Sequence, residues 1–452
     1  MKKVPFIWAF AVPLALSLTS CGPSDKDSTN SSGNSANTEA PATLTTAKTL
    51  DVQAFKGGYS DDFYRTAGEE YGKKHGVTVT VTGDPRIWEK LGPRFNAGDP
   101  PDLAFPGWGM DHWKLVAEGQ VMPLDAALDG MAEDGKTKWR DTFEESLLKL
   151  CQQDGKTWIL PYYYSVLGWW YKPDLFAANG WTPPKTYDEL LTLCEKIKAK
   201  GIAPLTYQGK YPDYMISGML SPWIISSGGM EVFNKIQSLE KGAWMDPAVL
   251  EAAKRIKELK DKGYFQDGAA GMSHTESQTQ FVNGKAAMIP CGTWLYAEME
   301  KTMPAGTQMA FFLPPALSGG KGDASAIMIK IEPWLVPAKS KNQEHAIGYY
   351  KYMTSLEKAT QFVKEKGTLM AIKNSAPADL PSYLKGPSDA FIASKAAYAP
   401  MWREWYPPLY KAVEGAVTSL VSGDLTPEAF QAKCEEAAEK LRQDPDITPH
   451  KL

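Results

Sequence analysis

Three tryptophans of this chain stand in loop contexts: Trp108 in Pro106-Gly107-Trp108-Gly109, Trp294 in Gly292-Thr293-Trp294, and Trp334 after Glu332-Pro333. A flat apolar ring set among glycine, proline and polar residues can face a cleft, and there it covers the C–H face of a sugar while carboxylates and amides take the hydroxyls. The chain has fifteen Trp and twenty Tyr, a load that core packing accounts for only in part. On the same loop and glycine context, Tyr59 after Gly57-Gly58 and Trp223 before Ser226-Ser227-Gly228-Gly229 join the candidates. Glu332, Glu276 and Arg86 could supply the polar half, taking hydroxyls or an acetamido group. For Glu276 and Arg86 the competing reading is a solvated surface charge, and for each ring it is a core position.

Other chemistries find less support. There is no His-Glu-x-x-His, no G-x-S-x-G, no lysine-bearing phosphate loop and no cysteine–histidine cluster of metal spacing. The five histidines, at 75, 112, 274, 345 and 450, are scattered, and His274 alone reads as structural. No cofactor, no metal site and no catalytic residue is therefore expected. A glycoside hydrolase needs only two carboxylates about 5 to 10 Å apart, and 53 acidic residues leave that alternative open. So does a binding protein for a peptide or polyol.

At the N-terminus, Lys2 and Lys3 precede an apolar run from Val4 to Leu18, the charged and apolar regions of a secretory signal over residues 1–20. The run is short for a membrane span, which takes roughly 20 apolar residues. It ends in Leu18-Thr19-Ser20-Cys21-Gly22, which resembles the bacterial lipobox and implies cleavage before Cys21 and lipidation of its thiol. Residues 21–48 are rich in Ser, Thr, Asn, Ala and Gly and read as a disordered tether. The expected location is extracytoplasmic, anchored to the cell membrane, in a periplasm or on the outer face. The formal net charge of −4 argues against nucleic acid as a partner. Cys151, Cys194, Cys291 and Cys434 allow either disulfides, in three pairings, or four buried thiols.

Roughly 400 residues follow the tether, more than one core usually supports, so two lobes are expected. Short apolar strands alternate with amphipathic helices, the α/β pattern of largely parallel sheets. Strands read at Leu50–Phe55, Val77–Thr82, Leu103–Phe105 and Ala286–Ile289, and helices at Ser60–His75, Ile87–Asn96, Tyr187–Lys200, Pro247–Lys262 and Pro427–Arg442. Glu344–Lys366 reads as one long helix or a pair closed by Gly367.

Several segments resemble the extracellular solute-binding proteins of sugar ABC transporters, the family of the maltose-binding protein. They are Leu160-Pro161 with Tyr171-Lys172-Pro173-Asp174-Leu175-Phe176, Pro184 to Leu205, Phe281 to Met288 leading to Gly292-Thr293-Trp294, and Ala346 to Gly367. His274 to Gln278, Ile289 to Trp294 and Pro314-Pro315 look like the N-acetylglucosamine- and diacetylchitobiose-binding lipoproteins, whereas Ile331-Glu332-Pro333-Trp334 departs from their glycine-rich stretch. The resemblance implies a two-lobe periplasmic-binding-protein fold, α/β, with hinge-connected lobes and an interlobe ligand cleft. Lobe 1 would hold residues 49–160 plus 314–371, and lobe 2 residues 166–310 plus 377–445. It also implies a sugar-stacking role for Trp294, cleft positions for Tyr163 and Tyr164 at the first crossing (one facing in, one packing), and a late loop bringing Trp402 to the ligand. The implied partners are a carbohydrate and the permease subunits of an ABC importer, with the chain itself a monomer and no enzyme.

Overall fold

The computed structural model describes residues 49–450. The signal, Cys21 and the tether lie outside the described residues. Strands appear in chain order as β1 Thr49–Phe55, β2 Thr78–Asp84, β3 Leu103–Phe105, β4 Gln152–Gln153, β5 Lys156–Thr157 and β6 Leu160–Tyr171, followed by β7 Ala203–Leu205, β8 Ala286–Gly292, β9 Ala310–Phe312, β10 Ile327–Trp334, β11 Leu369–Met370 and β12 Ala397–Tyr398.

One sheet has the order β2-β1-β3, all parallel. A second runs β12-β10-β6-β8-β7, with β9 and β11 also paired to β6, and β4 and β5 form a two-stranded antiparallel sheet of their own. This second sheet is mixed rather than largely parallel: β10, β8, β9 and β11 all lie antiparallel to β6, and only β7 on β8 and β12 on β10 are parallel. The physical cause is the twelve-residue strand β6, which serves two packing environments in turn and is met by chain returning toward it.

Local chemistry places the helices. Thr186 and Glu189 form a capping box ahead of the helix Tyr187–Lys198, and Ser273 and Glu276 do the same for His274–Val282. The side chain of Asp246 accepts from the Ala248 amide before Pro247–Asp261, and that of Thr426 from the Ala429 amide before Pro427–Arg442. The late segment is two helices, Gln343–Met353 and Leu356–Lys366, parted at Thr354 and Ser355 because the Ser355 side chain caps the second.

Two large apolar cores result. The first gathers Leu50, Phe63, Phe105, Tyr162, Tyr350 and Phe362; the second gathers Trp169, Leu190, Met219, Ile256, Val413 and Phe430. Strand β6 passes from one to the other, with Val166 in the first and Trp169 in the second. At Gly168 a Cβ would meet the Phe311 ring at 2.3 Å, so only glycine lets β9 approach the crossing strand there. The four cysteines are buried, free thiols, and burial pushes each above its ordinary range. Among the described residues no helix is long and apolar enough to cross a membrane, and no group of His, Cys, Asp and Glu could hold a metal ion.

Candidate functional site

Where the two cores face each other, a cavity of about 460 Å³ opens, within the range of small-molecule sites. Strand β6 lines it with Tyr163, Ser165 and Leu167, the alternate residues of a pleated strand. Strand β10 contributes Lys330 and Glu332, and the turn after β1 contributes Tyr59, whose ring meets Tyr163 edge-on at 5.1 Å. From the side of the second core come Tyr214, His274, Trp294, Glu298, Arg403 and Glu404.

Trp294 stands at the N-cap of the helix Leu295–Met299, just past the end of β8. Its ring lies over Gly292, where a Cβ would come within 2.2 Å of Cζ3. The glycine thus lets the indole fold back over the strand end into the cavity. Tyr214 packs edge-on against it at 6.2 Å, and the Lys330 ammonium sits 5.6 Å from its ring centroid. Tyr211 stacks on His274 at 3.7 Å, and the Tyr214 hydroxyl lies 3.0 Å from His274 Nδ1.

The polar groups fall into a chain of pairs. His112 Nε2 lies 3.1 Å from Glu404 Oε2, Arg403 Nη1 3.3 Å from Asp213 Oδ2, and Lys330 Nζ 3.7 Å from Glu332 Oε1. Burial opposes the charge of Glu404, but His112 and Arg403 outweigh it and hold the carboxyl below its usual range. Burial likewise opposes a charged His112, and Glu404 overrides it, so the imidazole titrates above its usual value. Glu332 and Glu298 are pushed upward by burial, with Lys330 opposing in each case.

The sequence candidates separate accordingly. Tyr59, Tyr163, Trp294 and Glu332 line the cavity. Six others stand elsewhere. Tyr164 points to the opposite face of β6 and packs on Phe391 at 4.8 Å. Trp334 is buried in the first core, stacked on Phe105 at 5.2 Å with Tyr64 and Tyr162 edge-on. Trp402 is buried against Trp244 and Tyr410, and Trp223 is buried with its indole N–H donating to the Pro315 carbonyl at 2.9 Å. Glu276 is occupied by its capping box and by Lys210 at 3.7 Å, and Arg86 is an exposed partner of Glu89 at 3.3 Å. The side chain of Trp108 lies outside the described residues; its backbone forms the turn Gly107–Gly109.

Sequence reasoning missed His112, Asp213, Tyr214, Glu298, Lys330, Arg403 and Glu404, and read His274 as structural. Signals existed for some. Glu298 follows Trp294 by one helical turn, Lys330 shares a strand face with Glu332, and Arg403 and Glu404 adjoin Trp402.

A two-lobe α/β architecture with a polar, ring-lined cavity between its cores defines a binding protein that holds its ligand between lobes. Residues 66–398 match the bacterial extracellular solute-binding proteins, and the chain belongs to that family. It is 28% identical over 447 residues to the diacetylchitobiose-binding protein of Streptomyces coelicolor, covering 95% of this chain and 93% of that one. It is 26% identical over 304 residues to the multiple sugar-binding protein of Streptococcus mutans, covering 66% and 69%. Among solved structures it is similar to a chitin oligosaccharide binding protein, with TM-score 0.71, 26% identity and coverage of 87% and 98% of the two chains.

Proposed function

We propose that the protein captures a carbohydrate, an amino-sugar oligosaccharide of the chitobiose class, and delivers it to the permease of an ABC importer. The observation that carries this reading is the cavity of about 460 Å³ that sets Trp294, Tyr59 and Tyr163 beside Glu332, Glu298 and Lys330. Rings cover apolar sugar faces while charged tips accept hydroxyls, and segments that adjoin both cores contribute, so that ligand binding draws the lobes together. The relatives named for diacetylchitobiose and chitin oligosaccharides support the amino-sugar class. Lipidation at Cys21 would hold the mature, monomeric protein at the membrane beside its permease.

Binding is proposed without turnover. A glycosidase requires one carboxyl poised as acid and a second as nucleophile or base; the matched family is one of solute-binding proteins, and the cavity's Glu404 and Glu332 each lie against a protein cation. A thermal-shift screen against mono- and oligosaccharides, including N-acetylglucosamine and diacetylchitobiose, tests the reading. A ligand specific for the folded state adds about 2.7 kcal/mol at a hundredfold excess over Kd. A shift with sugar recovered intact supports it, cleaved sugar replaces it with a hydrolase, and no shift with any sugar removes the carbohydrate class.

A further inference from the structure

The charges of the cavity do not balance. Five carboxylates, Asp213, Glu298, Glu332, Glu404 and Glu414, reach it against two permanent cations, Lys330 and Arg403; Glu414, on the helix Pro407–Ser422, makes no ion pair among the described residues. Arg403 lies against Asp213, Lys330 against Glu332, and Glu404 takes His112. Glu298 is left with a neutral partner: its Oε2 accepts from the Gln278 amide at 2.7 Å, and no cation of the described chain lies within ion-pair distance. Glu298 belongs to the cavity wall. Its backbone N–H donates to the Trp294 carbonyl at 3.0 Å, which sets the two side chains one turn apart on the same side of a short helix.

A ring and an uncompensated carboxylate one turn apart match a pyranose that carries a positive charge. Glu298 is exposed in the open cleft; a sugar seated on it displaces its water, and a sugar hydroxyl then gives the carboxylate a hydrogen bond but no countercharge. An ammonium gives both, in a charge-assisted bond about twice as strong as a neutral one. An N-acetyl group at that position is neutral and presents an amide instead.

Resting on the proposed amino-sugar function, we propose that the cleft selects an amino sugar whose nitrogen is free rather than acetylated, Glu298 receiving the ammonium while the pyranose lies against Trp294. Lys330 acts on Glu298 only from beyond ion-pair distance and pairs with Glu332 on its own strand, β10, so it does not cancel this selection.

Calorimetric titration of the full protein with three β-1,4 disaccharides of one ring geometry tests the inference: the free-amine glucosamine dimer, diacetylchitobiose and cellobiose, at a mildly acidic pH where the amine is protonated. The glucosamine dimer should bind about tenfold tighter than either neutral sugar. Glu298→Gln should abolish that preference, the glucosamine dimer losing about tenfold more affinity than either neutral sugar. Equal or tighter binding of a neutral sugar by the wild type overturns the inference and leaves the proposed function standing, without relying on any variant folding. A folded Glu298→Gln protein that weakens all three sugars alike also overturns it, since the carboxylate then orders the site rather than reading charge. If none of the three binds, the amino-sugar function falls and the inference falls with it.

Discussion

Trp294 and Trp334 stand in similar sequence surroundings and in opposite physical ones. Trp294 comes just after a strand that ends in glycine, Trp334 closes a strand directly after a proline, and each invites the reading of a ring turned toward ligand. After β8, Gly292 has no side chain, and the indole of Trp294 folds over it into the cavity. Along β10, Glu332 lines the cavity, and simple alternation would put Trp334 on its face. The register to β6 instead shifts between Glu332 and Pro333, Trp334 pairs with Leu160, and both enter the first core. One irregularity in pairing separates a ring available to ligand from a ring that holds a lobe together.

Trp334→Ala breaks the comparison most severely. Removing a fully buried indole that touches Phe105, Tyr64, Tyr162 and Tyr350 should cost about 3–5 kcal/mol of stability. Chemical denaturation reads it, and a loss under about 1 kcal/mol would contradict the core assignment. Trp294→Ala should do the reverse, weakening sugar binding by about 1–3 kcal/mol while melting temperature without ligand changes little. Unchanged affinity with a lowered melting temperature would make this indole a core residue too.

Gly292→Ala sharpens the same point without touching either ring. The added methyl meets Trp294 Cζ3 at 2.2 Å, so the indole must move, and sugar affinity should fall by about 1–2 kcal/mol. Retained affinity would show that ring placement over the strand end is immaterial to ligand.

The smallest effect concerns the pair His112 and Glu404, which joins the helix His112–Ala117 to the helix Trp402–Trp405. The raised His112 contributes stability that is fully present below its ordinary value of 6.5 and lost as pH rises through its folded-state value. The lowered Glu404 contributes stability present above 4.5 and lost as pH falls through its folded-state value. The pair is therefore most stabilising between those limits. Because the Glu404 side chain is 39% exposed, the difference between wild type and His112→Gln should be about 1 kcal/mol or less. It should peak in mildly acid solution and shrink as the pH becomes alkaline; a difference that grows with alkaline pH would rule the ion pair out.

Helix positions were the most legible feature of the chain. Ile87–Asn96 and Pro427–Arg442 are found at the boundaries read from apolar spacing and cap residues, and Glu344–Lys366, read as one long helix or a pair, is a pair. These depend on neighbours within a few residues. The mixed sheet was less legible, since strand direction is set by partners far along the chain. Trp334 misled for a related reason: proline marks where a chain turns, and it does not say which way a ring then points.

By itself the sequence determined the spacing of apolar residues and caps, and with them the α/β class and the presence of rings and carboxylates suited to a polyhydroxylated ligand. Tertiary structure decided which of them meet. Tyr163 faces the cavity and Tyr164 does not because β6 is pleated, and Trp334 is withdrawn because β10 slips against β6 at one step. His112, Lys330, Glu298, Arg403 and Glu404 become one site because four separate stretches of chain converge where the two cores face each other. Such convergence follows from packing free energy summed over both lobes, which no local window of residues contains.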